Sequence, residues 1–100
     1  MVALLFKKAV VESEINSGYG RCDIIIKFLN KSTAIIIELK HLKGRQSSET
    51  MESSALSALK QIHKQDYIEV AKKEQYKEVI LYGMAFSNKN VVVKKEKINL

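Results

Sequence analysis

Two acidic positions and one lysine in the first half of the chain are placed as hydrolytic chemistry on phosphate would require. Asp23 opens the run DIIIKFL, and Glu38, Leu39 and Lys40 close the run TAIIIELK. Both runs are rich in β-branched residues and read as buried strands, yet each carries ionisable groups at one end. A hairpin joining them would bring those ends together. If Asn30 and Lys31 form a two-residue turn, Asp23 lies opposite Glu38; a four-residue turn places it opposite Lys40. Side chains alternate along a strand, so Glu38 and Lys40 share a face and Leu39 points the other way. Opposed residues on antiparallel strands are about 5 Å apart at Cβ, near enough for two carboxylates to hold one divalent cation. A cation and an ammonium beside a positioned water are what cleavage of a phosphodiester needs, because negative charge develops on phosphate oxygens. The plainer alternative is that these strand ends emerge into solvent, where charge is ordinary.

The elements that must position these groups follow from the rest of the chain. Met1 to Lys8 has Val2, Leu5 and Phe6 at helical spacing and predicts a short helix. Val10 to Asn16 reads as a first strand, and Gly18 and Gly20 permit a turn before the hairpin. Glu12 and Glu14 fall on that first strand and are not counted among the cation ligands. From His41 to Ser53 the apolar periodicity is lost, which predicts an exposed, mobile loop. Ala55, Leu59 and Ile62 then mark one face of a helix from Ser54 to about Gln65, capped by Ser53 or Ser54. Asp66 to Glu74 predicts a second helical piece with Tyr67, Val70 and Ala71 turned inward. Glu78 to Phe86 is an unbroken apolar run, as in a central strand covered on both faces. Gly83 within it marks a bulge or a close helix contact. Ser87 to Asn90 makes a turn and Val91 to Lys95 a last edge strand. The expected fold class is α/β: a mixed sheet of about five strands, with a three-strand antiparallel meander, a helical crossover and two further strands, flanked by helices.

Composition sets the outer bounds. One hundred residues without proline, 46% of them apolar, suffice for one compact domain spanning 1–100. No apolar run reaches the roughly 20 residues of a membrane span. The start lacks the basic leader and cleavage site of a secretory signal, and a cytoplasmic location is the default expectation. A single cysteine, Cys22, forms no internal disulfide and reads as a small buried thiol. Seventeen Lys and Arg against eleven Asp and Glu leave a formal charge of +6, which favours polyanionic partners. His41 and His63 lack zinc-site spacing. The four tyrosines read as core or interface residues, and Lys94, Lys95 and Lys97 as a solvated edge able to steer a phosphate backbone.

The strings GYGRCDIII, AIIIELK, ALKQIHKQDY and EVILYGMAFS together resemble the PD-(D/E)XK nuclease-like domain found at the C-terminal end of a group of bacterial AAA-ATPase-like proteins. The likeness covers roughly Val11 to Val93. It implies a restriction-endonuclease-like fold and a nuclease site in which Asp23, Glu38 and the Leu39 carbonyl hold Mg²⁺ or Mn²⁺. By the same resemblance Lys40 orients or helps deprotonate the attacking water, and Gln61, on the helix crossing back over the sheet, lines the site and bonds water or phosphate. Arg21, two residues before Asp23, would contact phosphate or pair with a carboxylate. The implied partner is nucleic acid, with DNA favoured over RNA; an ATPase-like partner and self-association stay open. Many members of the superfamily carry a further acid on a helix before the first strand, and MVALLFKK contains none; Glu12 and Glu14, on the expected first strand, are the possible substitutes. The chain therefore resembles an N-terminally truncated piece, and a catalytically silent module that binds nucleic acid or protein is the alternative reading.

Overall fold

The computed structural model describes the backbone of residues 9–16, 21–88 and 90–100, and side chains from residue 24 onward except residue 89. The expected helix over Met1 to Lys8 and the glycine turn at Ser17 to Gly20 lie outside the described residues, as do the side chains of Arg21, Cys22 and Asp23. The elements are β1 (Ala9–Asn16), β2 (Arg21–Phe28), β3 (Thr33–His41), α1 (Ser48–Lys64), α2 (Tyr67–Lys73), β4 (Glu78–Ser87) and β5 (Asn90–Asn99). The strands form one sheet in the order β1-β2-β3-β4-β5. Pairing is antiparallel along β1-β2-β3 and between β4 and β5, and parallel between β3 and β4. The meander, helical crossover and mixed sheet are thus as the alternation pattern implies.

The β2–β3 turn decides which residues oppose each other at the far end of the hairpin. Lys31 N–H donates to the Phe28 carbonyl at 3.0 Å, and Lys31 adopts a φ of 64°. Asn30 Oδ1 accepts from Ser32 N at 3.0 Å and from Ser32 Oγ at 2.7 Å, an Asx-type closure. The Lys31 ammonium lies 4.7 Å from the centroid of the Tyr76 ring, which ties the turn to the core. The resulting register pairs Asp23 with Glu38, the first of the two alternatives open from sequence.

Helix α1 begins at Ser48, earlier than the expected Ser54, and replaces half of the expected loop. Ser47 is its cap: Thr50 N–H donates to Ser47 Oγ at 3.1 Å, and Glu49 lies in the first turn, where the helix dipole favours an acid. The buried stripe runs Met51, Ala55, Ala58, Ile62, so the periodicity starts one turn before Ala55. Asp66 occupies the N-cap position of α2 without a side-chain capping bond, and the helix ends just before Gln75, which takes a φ of 69°. Its inward face is Ala71 with Tyr67 and Ile68; Val70, expected inside, is 40% exposed. Strand β5 runs on to Asn99, past the expected end at Lys95, because alternating lysines tolerate an edge position when they pair with neighbours.

Both described helices pack on one face of the sheet. Ala34, Ile36, Val79 and Leu81 join Ile62, Ala71 and Tyr76 in the main core, and Ala85 meets Met51 and Ala55 in a second cluster. Along β4 burial alternates strictly, with every second residue buried and the others partly exposed. The expected cover on both faces is therefore seen on one face only, among the described residues. Gly83 is the close-contact point: a Cβ there would lie 2.3 Å from the Ala55 carbonyl oxygen and 2.6 Å from Leu59 N. Only glycine lets the helix backbone settle this near the strand. No helix among the described residues is long and apolar enough to cross a membrane.

Candidate functional site

Register lines up three acidic positions in one row of the sheet. Glu14 pairs with Asp23, Asp23 with Glu38, Glu38 with Gly83, and Gly83 with Lys94. One row further toward the carboxyl end of β3, Asn16, Arg21, Lys40 and Ala85 are partners in the same way. Two residues back, the row is Glu12, Ile25, Ile36 and Leu81. Ile36 and Leu81 are buried under the helices, which identifies the face. Strand partners project to the same side of a pleated sheet, so a one-residue slip in any of these pairings would dissolve the row.

Glu38 is 1% exposed, one of two buried polar residues among those described. A carboxylate withdrawn from water at this depth must be compensated by hydrogen bonds or by positive charge. Lys40, two residues on, stays half-exposed, and its Nζ donates to Ser57 Oγ on α1 at 2.8 Å. That bond joins the strand to the helix and holds the ammonium at the carboxyl end of β3. In open α/β sheets, that end of the parallel strands is where ligands bind. Gln61 lies four residues after Ser57, so the two share the stripe of α1 that turns toward β3. The other flank of α1 meets β5, through His63 Nε2 to Glu96 Oε1 at 2.7 Å and Lys94 to Glu52 at 3.3 Å.

The structure thus brings the positions of Asp23 and Glu38 together as direct partners and puts Lys40 opposite Arg21. Leu39 is on the alternate side, paired with Cys22, with its backbone in the strand. Glu14, from sequence only a possible substitute acid alongside Glu12, falls in the acidic row; the β1–β2 register decides this, and strand periodicity alone does not reveal it. Ser57 escaped the sequence reading, and its signal was available: it precedes Gln61 by one helical turn.

An oxygen-only donor set of carboxylates plus a strand carbonyl suits a hard divalent ion such as Mg²⁺. Register puts the Asp23 and Glu38 positions directly opposite each other. Like charges at directly opposed positions destabilise a sheet, and a cation among them removes that cost. Among the described residues no three His, Cys, Asp or Glu side chains cluster, and those of Glu14 and Asp23 are not in that set.

Neither a curated protein nor a solved structure matches the chain. The family model described as the PD-(D/E)XK nuclease superfamily matches residues 1–96. With nearly its whole length matched, and a mixed sheet whose third strand carries Glu38-Leu39-Lys40 just before its last residue, the chain belongs to the PD-(D/E)XK nuclease superfamily.

Proposed function

We propose that the chain is a divalent-metal-dependent nuclease whose site is built on Asp23, Glu38 and Lys40, with DNA as its substrate. The observation that carries this reading is the row of acidic positions Glu14, Asp23 and Glu38 on three adjacent strands, ending in a glutamate buried beneath α1. Asp23, Glu38 and the Leu39 carbonyl would hold Mg²⁺ or Mn²⁺, with Glu14 as a further acid in the same row. When bound, the ion supplies positive charge at the developing phosphate oxyanion and favours deprotonation of the attacking water.

The chain's own residues do the rest. Burial of Glu38 fixes one rotamer and keeps its carboxylate from being solvated away. Lys40, held by Ser57, brings an ammonium to the same face, where it orients the nucleophilic water and offsets charge on the phosphate. Gln61, on the Ser57 stripe, offers an amide that bonds water or a phosphate oxygen. Arg21, the partner of Lys40 in register, would take a second phosphate oxygen. A cytoplasmic setting and an ATPase-like partner belong to the same reading.

The test is plasmid nicking in Mg²⁺, with Asp23→Ala, Glu38→Gln and Lys40→Ala as controls. Cleavage that depends on the ion and disappears in all three variants is the expected outcome. Cleavage that survives the three would remove the assignment, and DNA binding with no cleavage under any divalent ion would make the chain a silent binding module.

A further inference from the structure

The segment linking β3 to α1 carries Lys43 and Arg45, one on each side of Gly44, immediately beyond Lys40. It was expected to be mobile, and the structure instead anchors it at successive points. Leu42 N–H donates to the Phe86 carbonyl at 2.9 Å, extending the β3–β4 pairing past the last strand residue. Ser87, 1% exposed, donates its hydroxyl to the Gly44 carbonyl. Gln46 Nε2 donates to the Lys43 carbonyl at 2.7 Å, and Ser47 then caps α1. Gly44 has a φ of 72°, a conformation that glycine adopts without strain.

Position beside Lys40, more than charge, distinguishes this loop from the other basic surfaces, since the exposed Lys72, Lys73 and Lys95 also take part in no ion pair among the described residues. Lys27 pairs with Glu74, Lys94 with Glu52, and Lys97 with Glu78, so much of the positive charge beside the β2 and β5 strands is already met by carboxylates. Lys43 and Arg45 are exposed, and no ion pair among the described residues includes either. Two cations without acidic partners, on a backbone pinned at both ends, lose little conformational freedom when an anion binds. We infer that Lys43 and Arg45 are the phosphate-backbone clamp of the site: they grip a DNA duplex beside the scissile position and set it against Lys40. The nature of the anion rests on the nuclease reading above. Of the sequence candidates for steering phosphate, Lys94 and Lys97 already face carboxylates, while Lys95 lies on the edge strand β5, away from Lys40 in the strand order.

Fluorescence anisotropy of a short labelled DNA duplex, in EDTA and across a salt series, separates this contact from catalysis. The Lys43→Ala/Arg45→Ala pair is compared with Lys72→Ala/Lys73→Ala. The latter two lysines are also exposed, but on the last turn of α2, from which the chain returns to the β2–β3 turn through the Lys77 N to Lys31 O bond. Each lost phosphate contact lowers the slope of log affinity against log salt by about 0.9, so the loop pair should lower it by about 1.8 and the α2 pair should leave it unchanged. Thermal melting confirms that both variants fold. Equal slopes for wild type and the loop pair, equal losses for both pairs, or no binding by wild type would each overturn the clamp. Cleavage assayed in parallel keeps the two proposals apart: slope loss without any nuclease activity retains the clamp and refutes the nuclease. Glu38-dependent cleavage with an unaltered slope does the reverse.

Discussion

Two glutamates on the same sheet show what separates a structural carboxylate from a functional candidate. Glu78, at the start of β4, is the register partner of Thr33 and is 27% exposed at its side chain. It accepts from Thr33 Oγ1 at 3.0 Å and faces Lys97 at 3.2 Å, and the hydrogen bond from Lys97, followed by that from Thr33, holds its carboxyl below the ordinary 4.5. Its charge is met by neighbours of opposite character. Glu38, five residues along the paired strand, has an aspartate on one side and a glycine on the other, and is 1% exposed. The first arrangement closes a sheet end. The second sets two acidic positions in register, one of them shielded from water. Strand position therefore says less than the row in which a residue falls.

The sharpest break in that comparison is isosteric removal of each charge. Glu38→Gln should lower cleavage by a hundredfold or more, on the order of what loss of a transition-state electrostatic group costs, whereas Glu78→Gln should leave the rate within about twofold because an exposed pair contributes little. Steady-state nicking rates decide it, and similar losses in both variants would erase the distinction.

Gly83 tests whether the site end needs the close helix. Gly83→Ala forces a Cβ against the Ala55 carbonyl oxygen and Leu59 N. Because both contacts are backbone atoms of α1, the helix must shift, and about 2 kcal/mol of stability should be lost. Urea denaturation measures it; an unchanged midpoint would show that α1 does not press on β4 there.

A finer division lies within the acidic row. Glu14→Gln should weaken Mg²⁺ binding and slow cleavage by about tenfold, the scale of removing a supporting group at a metal site, while Glu12→Gln, whose partner is Ile25, should change neither. Calorimetric titration with Mg²⁺ supplies a readout besides turnover. Equal behaviour of the two variants would mean that the β1 row plays no part in the site.

Ser57→Ala should reduce cleavage about threefold to fivefold, in keeping with about 0.5–1 kcal/mol for one hydrogen bond, with KM less affected than kcat because Lys40 is left in place but loosened. No change in kcat would make the Lys40–Ser57 bond incidental.

The smallest effect concerns pH. A carboxylate with a lowered folded-state pKa stabilises the protein above its unfolded value and loses that contribution as pH falls through the folded one. The difference in melting temperature between wild type and Lys97→Ala should therefore shrink as pH drops below about 4.5, Glu78's ordinary value. A difference that widens on acidification would contradict the Glu78 assignment.

Much of the site was legible before any coordinates. Period-two alternation in AIIIELK by itself places Glu38 and Lys40 on one face and Leu39 on the other, since side-chain direction in a strand depends only on local backbone geometry. The same locality made α1 visible from Ala55 onward, though not its start, because the cap at Ser47 lies in a polar stretch without apolar repeats. What lay beyond local reach was partnership. The Leu29–Ser32 turn put Asp23 opposite Glu38 rather than opposite Lys40. The β1 pairing brought Glu14 beside Asp23, and the parallel crossover brought Gly83 beside Glu38, so that α1 could descend and bury it. Periodicity is written residue by residue, whereas register and burial are settled by contacts between segments far apart in the chain. For this protein the sequence determined which groups can do chemistry and which way each faces; only the tertiary structure decided which of them share a row, and how far from water Glu38 must stand.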